Sequence, residues 1–367
     1  IYPSLLTERS TAIVRCSGVD AQGRTALVGT GPFLVQSQSP DRLIVERNHS
    51  YRQSGVPRLR VIEFVPALSS GTIARRLRSG EVDLARDLLP QDLEELSREA
   101  RFRQGLVEAP KKNTYFVLFN VMSGPITRHA SVRRALSGVV RPRDLVWRTL
   151  GRFADPAVSL IPPGMLGHDA GRRWPALSRE QAIALLHEAS PNRACRLSVA
   201  IQPSVLDRNG ALITGLLDSW KDVGVEIDAV PMDLSGYLAS WTDNAAIDAI
   251  VGRGNADYDD PDNFTFTLFH SARGGLRNYY SSPDTDRILE DAPSGSPPAM
   301  REALYRRFET ALIEASALVP LFHDVDYRLA RPRVPGLGLS STVPYVNYAE
   351  VGVTEAAAPA AESRRSG

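Results

Sequence analysis

Cysteine, lysine and long apolar runs are what this chain has least of. Cys16 and Cys195 are the only cysteines. A bond between them is possible, but two thiols so far apart in sequence are expected free or buried. No CxxC pair and no Cys/His cluster points to structural zinc. No apolar run reaches the roughly 18 residues of a membrane-spanning helix. Nor is there an excess of charge of one sign: 43 basic residues face 42 acidic ones. A nucleic-acid binder carries a basic excess, so that class recedes. Lysine stands only at Lys111, Lys112 and Lys221. With the abundant alanine, this preference for arginine reads as composition bias rather than phosphate recognition.

The usual catalytic signatures are missing too. The sequence holds no GxxxxGK[ST] phosphate loop, no HExxH, no GxSxG elbow and no EF-hand loop. Gly252-x-Gly254 lacks the third glycine of a dinucleotide fingerprint. The histidines are scattered singly, and His270 and His323 stand in aromatic or apolar settings that suit core positions. No enzyme class, cofactor or metal is therefore expected. The opening Ile1-Tyr2-Pro3-Ser4-Leu5-Leu6 has neither the basic start nor the apolar stretch of a signal peptide. The expectation is a processed or partial chain.

What is present is an alternation of short strands and helices. Residues 1–28 read as a short helix and a polar loop. A turn at Gly29-Thr30-Gly31-Pro32 then leads into strands at Phe33–Val35, Arg42–Arg47 and Arg60–Val65. A helix around Ile73 and Leu77 ends at Gly80, and Val82–Ala85 is a short strand. Pro90 opens a helix with Leu93 and Leu96 inward. Tyr115–Asn120, an apolar strand, closes this first unit. The second unit begins near Pro125 with a helix carrying Val132, Leu136 and Val139. Ser178-Arg179-Glu180-Gln181 fits a capping box. Strand Leu197–Gln202, helix Ala211–Asp222 and strand Val225–Val230 follow, then a helix near Tyr237–Trp241 and strand Ile247–Val251. A long helix spans Ala299–Ala317, and residues 356–367 read as a disordered tail. The pattern predicts α/β layers with a partly parallel sheet, whose crevices lie at strand C-terminal ends.

Asn255-Ala256-Asp257-Tyr258-Asp259-Asp260-Pro261-Asp262-Asn263-Phe264 follows the last of those strands. Four aspartates in six residues repel one another unless cations or N–H donors compensate. An Asx-rich turn capping a helix accounts for Asp259, Asp260 and Asp262. Asp257 lies nearest the strand end, where a carboxylate can hold a ligand ammonium. Arg253, Asn255 and Tyr258 are its neighbours and complete the candidate ligand-binding set.

These segments, taken in order, resemble a known family. Gly29-Thr30-Gly31-Pro32-Phe33, Val45–Tyr51, Leu77–Ala85, Asn113–Asn120, Val132–Leu136, Ile161–Met165, Asp257–Phe264 and Tyr279–Asp286 are similar to successive motifs of solute-binding protein family 5. That family comprises the oligopeptide-, dipeptide- and nickel-binding proteins of ABC transporters. The resemblance covers roughly residues 25–350. It implies a periplasmic-binding-protein-like type II α/β fold, with two hinged lobes closing on a peptide or small solute. It also implies delivery to a membrane permease, a periplasmic or membrane-anchored location, and a monomer without nucleic-acid partners. On this basis residues 29–125 plus 334–355 form lobe I, and 126–333 form lobe II. Residues 1–28 would be the remnant of a small domain that is otherwise missing. In peptide-binding members the aspartate matching Asp257 pairs with the ligand amino terminus. Where the family often has Trp before this element, Arg253, Gly254 and Asn255 stand. Where dipeptide binders hold the ligand carboxylate with Arg, Gln202-Pro203-Ser204 stand, with Arg208 nearer the helix.

Two rivals remain. The same fold serves as the ligand-sensing domain of larger cytoplasmic regulators, and an upstream helix-turn-helix would identify that case. A glycosidase using Asp257 with Asp259 or Asp260 would need both carboxylates from one turn, which the usual opposed geometry disfavours.

Overall fold

The computed structural model describes residues 14–19, 25–189, 191, 194–292, 297–342 and 344–354. These fall into two compact units. Pro110–Val325 forms one, and the described residues before and after that stretch form the other.

In the flanking unit, β1 (Val14–Val19) and β2 (Thr25–Gly29) pair antiparallel. This corrects the reading of residues 1–28 as helix and loop over the part that is described. Both runs are short and broken by Gly, Ser and Arg, and pairing with each other supplies what periodicity does not show. β3 (Phe33–Ser39), β4 (Arg42–Arg47) and β5 (Val61–Phe64) form a second antiparallel sheet in that order. Helix Ser70–Ser79 is capped by Ser69 and ends at Gly80, whose φ of 88° is the left-handed conformation that favours glycine. β6 (Leu84–Ala85) is shorter than the predicted strand. Helix Pro90–Arg98 buries Leu93 and Leu96 completely. β7 (Leu106–Pro110) ends the stretch.

The Pro110–Val325 unit is built on a mixed sheet. Its strands are β8 (Asn113–Phe119), β9 (Ala154–Pro156), β10 (Cys195–Ile201), β11 (Val225–Val230), β12 (Ala249–Asn255) and the first part of β13 (Leu318–Ala330). The order is β11-β10-β12-β8-β13, with β9 against β13. β10, β11 and β12 are parallel, while β8 is antiparallel to both β12 and β13. Every residue of β8 is buried. Tyr115, Val117 and Phe119 face one apolar cluster, whereas Phe116 and Leu118 face the other. A sheet covered on both faces produces such a continuous apolar run. Burying each large apolar side chain contributes about 1.5–3 kcal/mol. β8, read from sequence as the close of the first unit, thus sits inside this unit's sheet.

Helices Ala130–Val139, Pro142–Thr149, Arg179–Ala189 and Pro203–Lys221 supply one apolar cluster, and Pro283–Glu290 and Pro298–Glu314 contribute to the other. Both bonds of the predicted capping box are made: Gln181 N–H to Ser178 Oγ at 3.2 Å, and Ser178 N–H to Gln181 Oε1 at 2.9 Å. The helix expected from Ala211 begins at Pro203, a residue well suited to a first helical turn, and kinks at Asn209. Cys195 is a free, buried thiol, and burial pushes its pKa up to about 11. The side chain of Cys16, residues 356–367 and most of 1–28 lie outside the described residues.

His323 on β13 is buried, with Nδ1 donating to the Asn113 carbonyl at 2.8 Å. Burial lowers its pKa to about 4. The unfolded chain therefore takes up the proton first, so the stabilising contribution is complete above an ordinary histidine pKa of about 6.5 and declines as pH falls through about 4. Unfolding midpoints followed from pH 7 to pH 4 should show about 3 kcal/mol of acid destabilisation that His323→Gln lacks. Equal slopes for the two proteins would contradict this.

Candidate functional site

Because β10, β11 and β12 run parallel, their C-terminal ends share one edge of the sheet, where open α/β sheets form binding crevices. Antiparallel β8 brings its opening residues to that edge, with Arg253 opposite Tyr115 and Asn255 opposite Asn113. β13 adds Asp324 there: its N–H donates to Asn113 Oδ1 at 2.9 Å, and its carboxylate accepts from Asn113 Nδ2 at 3.1 Å. Gly252 is required by a close approach, since a Cβ would collide with the Tyr237 hydroxyl. At Gly254 a Cβ would press on the Phe264 ring at 3.2 Å, so both glycines have a packing reason.

The four aspartates beyond β12 divide sharply. Asp260 is buried and caps the 3-10 turn Pro261–Phe264, accepting from Asp262 N–H at 3.1 Å. Both its oxygens also accept from Arg301 Nη2 at 2.8 Å. Asp259 meets Lys112 Nζ at 2.5 Å. Asp262 accepts from the Tyr258 hydroxyl at 2.9 Å, and burial pushes its carboxyl above the usual range. Asp257 is exposed, and among the described residues none donates to its carboxylate. Its backbone is held instead, with N–H to Asn263 Oδ1 at 3.4 Å. Neighbouring Ala256 N–H bonds the Lys112 carbonyl at 2.8 Å. A fixed backbone presenting an open carboxylate is suited to receiving a cationic group.

A second network lies beside it. Half-buried Arg253 donates from Nη1 to the Tyr115 hydroxyl at 3.2 Å, with its guanidinium 5.7 Å from the ring centroid. The Tyr115 hydroxyl donates in turn to Asp324 at 3.0 Å, and Lys111 Nζ lies 3.9 Å from the same carboxylate. Burial, reinforced by Asp324, holds the Tyr115 phenol well above its ordinary pKa. Arg253 is thereby tied to the Tyr115 hydroxyl.

The structure gathers Arg253, Asn255 and Asp257 at the edge, with Asn255 exposed at the end of β12. Tyr258 differs: it is buried, and its hydroxyl braces the turn through Asp262. Sequence reasoning missed Lys111, Lys112, Asn113, Tyr115 and Asp324 as members of the site. One signal was visible, since two of the chain's three lysines stand together at positions 111 and 112.

The profile described as "Bacterial extracellular solute-binding proteins, family 5 Middle" matches residues 2–275. The periplasmic oligopeptide-binding protein OppA of Salmonella typhimurium is 26% identical over 303 residues, covering 81% of this chain and 55% of that protein. The periplasmic murein peptide-binding protein MppA of Escherichia coli is 23% identical over 324 residues, covering 86% and 59%. The chain thus spans little more than half the length of these relatives. Among solved structures, the periplasmic binding protein DppA from Helicobacter pylori, in complex with the peptide STSA, superposes with a TM-score of 0.77 at 20% identity, covering 89% of this chain and 63% of that one. The fold is that of the periplasmic binding proteins.

Proposed function

We propose, from the premise that this chain belongs to the bacterial extracellular solute-binding proteins of family 5, that it is the solute-binding part of an ABC importer. Its ligand is a peptide or related solute whose ammonium group is held by Asp257. The observation that carries this reading is the division of the acidic turn. Three of its four carboxylates are engaged by Lys112, Arg301 and Tyr258, and Asp257 is left open at the sheet edge. Arg253 and Asn255 stand within the same edge and are the next candidate contacts. The role is a non-enzymatic carrier: binding and release require differential contacts, not bond chemistry. Peptide-binding relatives named as periplasmic support a periplasmic location and a membrane permease as partner. The carrier is read as a monomer that binds no nucleic acid.

Calorimetry with trialanine and with N-acetyl-trialanine tests the reading on the ligand side. Acetylation removes the ammonium and leaves the rest, so affinity should fall about tenfold or more. Equal affinities, or no binding of either peptide, would contradict it.

A further inference from the structure

Beyond Val251 the chain keeps alternating between two faces. Gly252, Gly254 and Ala256 take one of them. A Cβ on Gly252 would meet the Tyr237 hydroxyl and one on Gly254 the Phe264 ring, while Ala256 is buried in the apolar cluster that holds both rings. Arg253, Asn255 and Asp257 therefore share the other face, the first half-buried and the next two exposed. Pairing with β8 supports the whole row, from Arg253 opposite Tyr115 to Ala256 N–H on the Lys112 carbonyl at 2.8 Å. The row is thus extended, and at roughly 3.3 Å per residue its ends stand about 13 Å apart.

Along this row the chemistry passes from cation through amide to anion. The other charges beside it come as opposed pairs: Lys111 with Asp324 at 3.9 Å, and Lys112 with Asp259 at 2.5 Å. They add no net charge, so Arg253 and Asp257 set the polarity of the edge. The position of the guanidinium is held by Tyr115, whose ring stacks on Phe322 at 4.0 Å and whose hydroxyl accepts from Arg253 Nη1 at 3.2 Å.

We propose that Arg253 is a specificity-determining residue that takes the anionic end of the ligand, so that the solute is an extended zwitterion lying along the row, with its ammonium on Asp257. This rests on the reading of Asp257 given above. A peptide advances about 3.3–3.6 Å per residue, so the span corresponds to about three to four residues. A guanidinium suits the carboxylate end through its forked N–H groups, and the amide of Asn255 can serve a peptide group between the ends. Tyr115 acts through Arg253, as a positioning residue.

Calorimetry of the full chain with trialanine, trialanine amide and N-acetyl-trialanine tests this. Amidation removes the ligand's negative charge and should cost the parent about tenfold or more in affinity. In Arg253→Gln the amidation penalty should vanish while the acetylation penalty persists. In Tyr115→Phe the amidation penalty should shrink with acetylation unaffected, whereas a merely structural role would weaken all three ligands alike. An equal amidation penalty in parent and Arg253→Gln, or none in the parent, overturns the proposal. If Arg253→Gln does not fold, a length series on the parent decides. Amidation should matter for trialanine and tetraalanine and cost dialanine less than about twofold, because its carboxylate falls short of Arg253. An equal penalty at all three lengths overturns the proposal. An acetylation penalty without an amidation penalty leaves Asp257 as the ammonium site and removes the role of Arg253. Parent binding indifferent to acetylation removes both.

Discussion

Replacing Asp257 by asparagine should weaken trialanine binding roughly thirtyfold, the scale of one charge-assisted hydrogen bond, while the thermal unfolding midpoint stays where it was. Both halves follow from the same geometry. The carboxylate is exposed and, among the described residues, accepts no hydrogen bond, so the fold draws little from it. Its backbone is fixed by Asn263 and, through Ala256, by Lys112, so asparagine keeps the position and loses only the charge. Asp260→Asn makes the contrast. That carboxylate is buried against Arg301 and caps the next turn, so its loss should appear first as instability. Calorimetry and melting curves on the two variants separate binding from folding. A drop in the Asp257→Asn midpoint with unchanged affinity would reverse the assignment.

Glu309→Ala should be the most damaging single change in the Pro110–Val325 unit, at about 4 kcal/mol of unfolding free energy. Glu309 is 1% exposed on helix Pro298–Glu314. Its carboxylate accepts from Ser159 Oγ at 2.9 and 2.8 Å, from Ile161 N–H at 3.2 Å, and closely from Leu160 N–H. Arg172 Nε lies 3.3 Å away. Burial raises the carboxyl's pKa, with Arg172 and the N–H donors opposing that shift. Truncation would leave two N–H groups of the 159–161 segment without their acceptor and the mostly buried Arg172 without its nearest carboxylate. Urea unfolding measures this through the midpoint at constant slope. A loss under about 1 kcal/mol would mean that water or Asp169 replaces the carboxylate at no cost.

The elements that local pattern specifies were legible. Arg42–Arg47 and Val225–Val230 were bounded as observed, and Leu93 and Leu96 face inward as their spacing indicates. The Ser178–Gln181 box is a four-residue chemistry and needs no tertiary context. What could not be read was long-range pairing. β8 declares itself a strand through its apolar run, yet nothing local says that it pairs with β12, more than a hundred residues on. β13 went unseen because Pro320 interrupts it and its pairing with β8 shifts register there. Asp324 was lost to the site with it. Asp257 could be singled out because it follows a strand end, whereas its isolation among four aspartates depends on Lys112 and Arg301, partners distant in sequence. The pair Lys111-Lys112 stood out against an arginine-rich background and was read as composition.

The central claim is that Asp257 meets the ligand's ammonium directly, and a thermodynamic cycle tests it most closely. Affinities of trialanine and N-acetyl-trialanine are measured for the parent and for Asp257→Asn. If the two groups touch, acetylation costs the parent about tenfold or more and costs the variant almost nothing. The same acetylation penalty in both proteins would show that the amino terminus is read elsewhere, and the account of this edge as the ammonium site would fall.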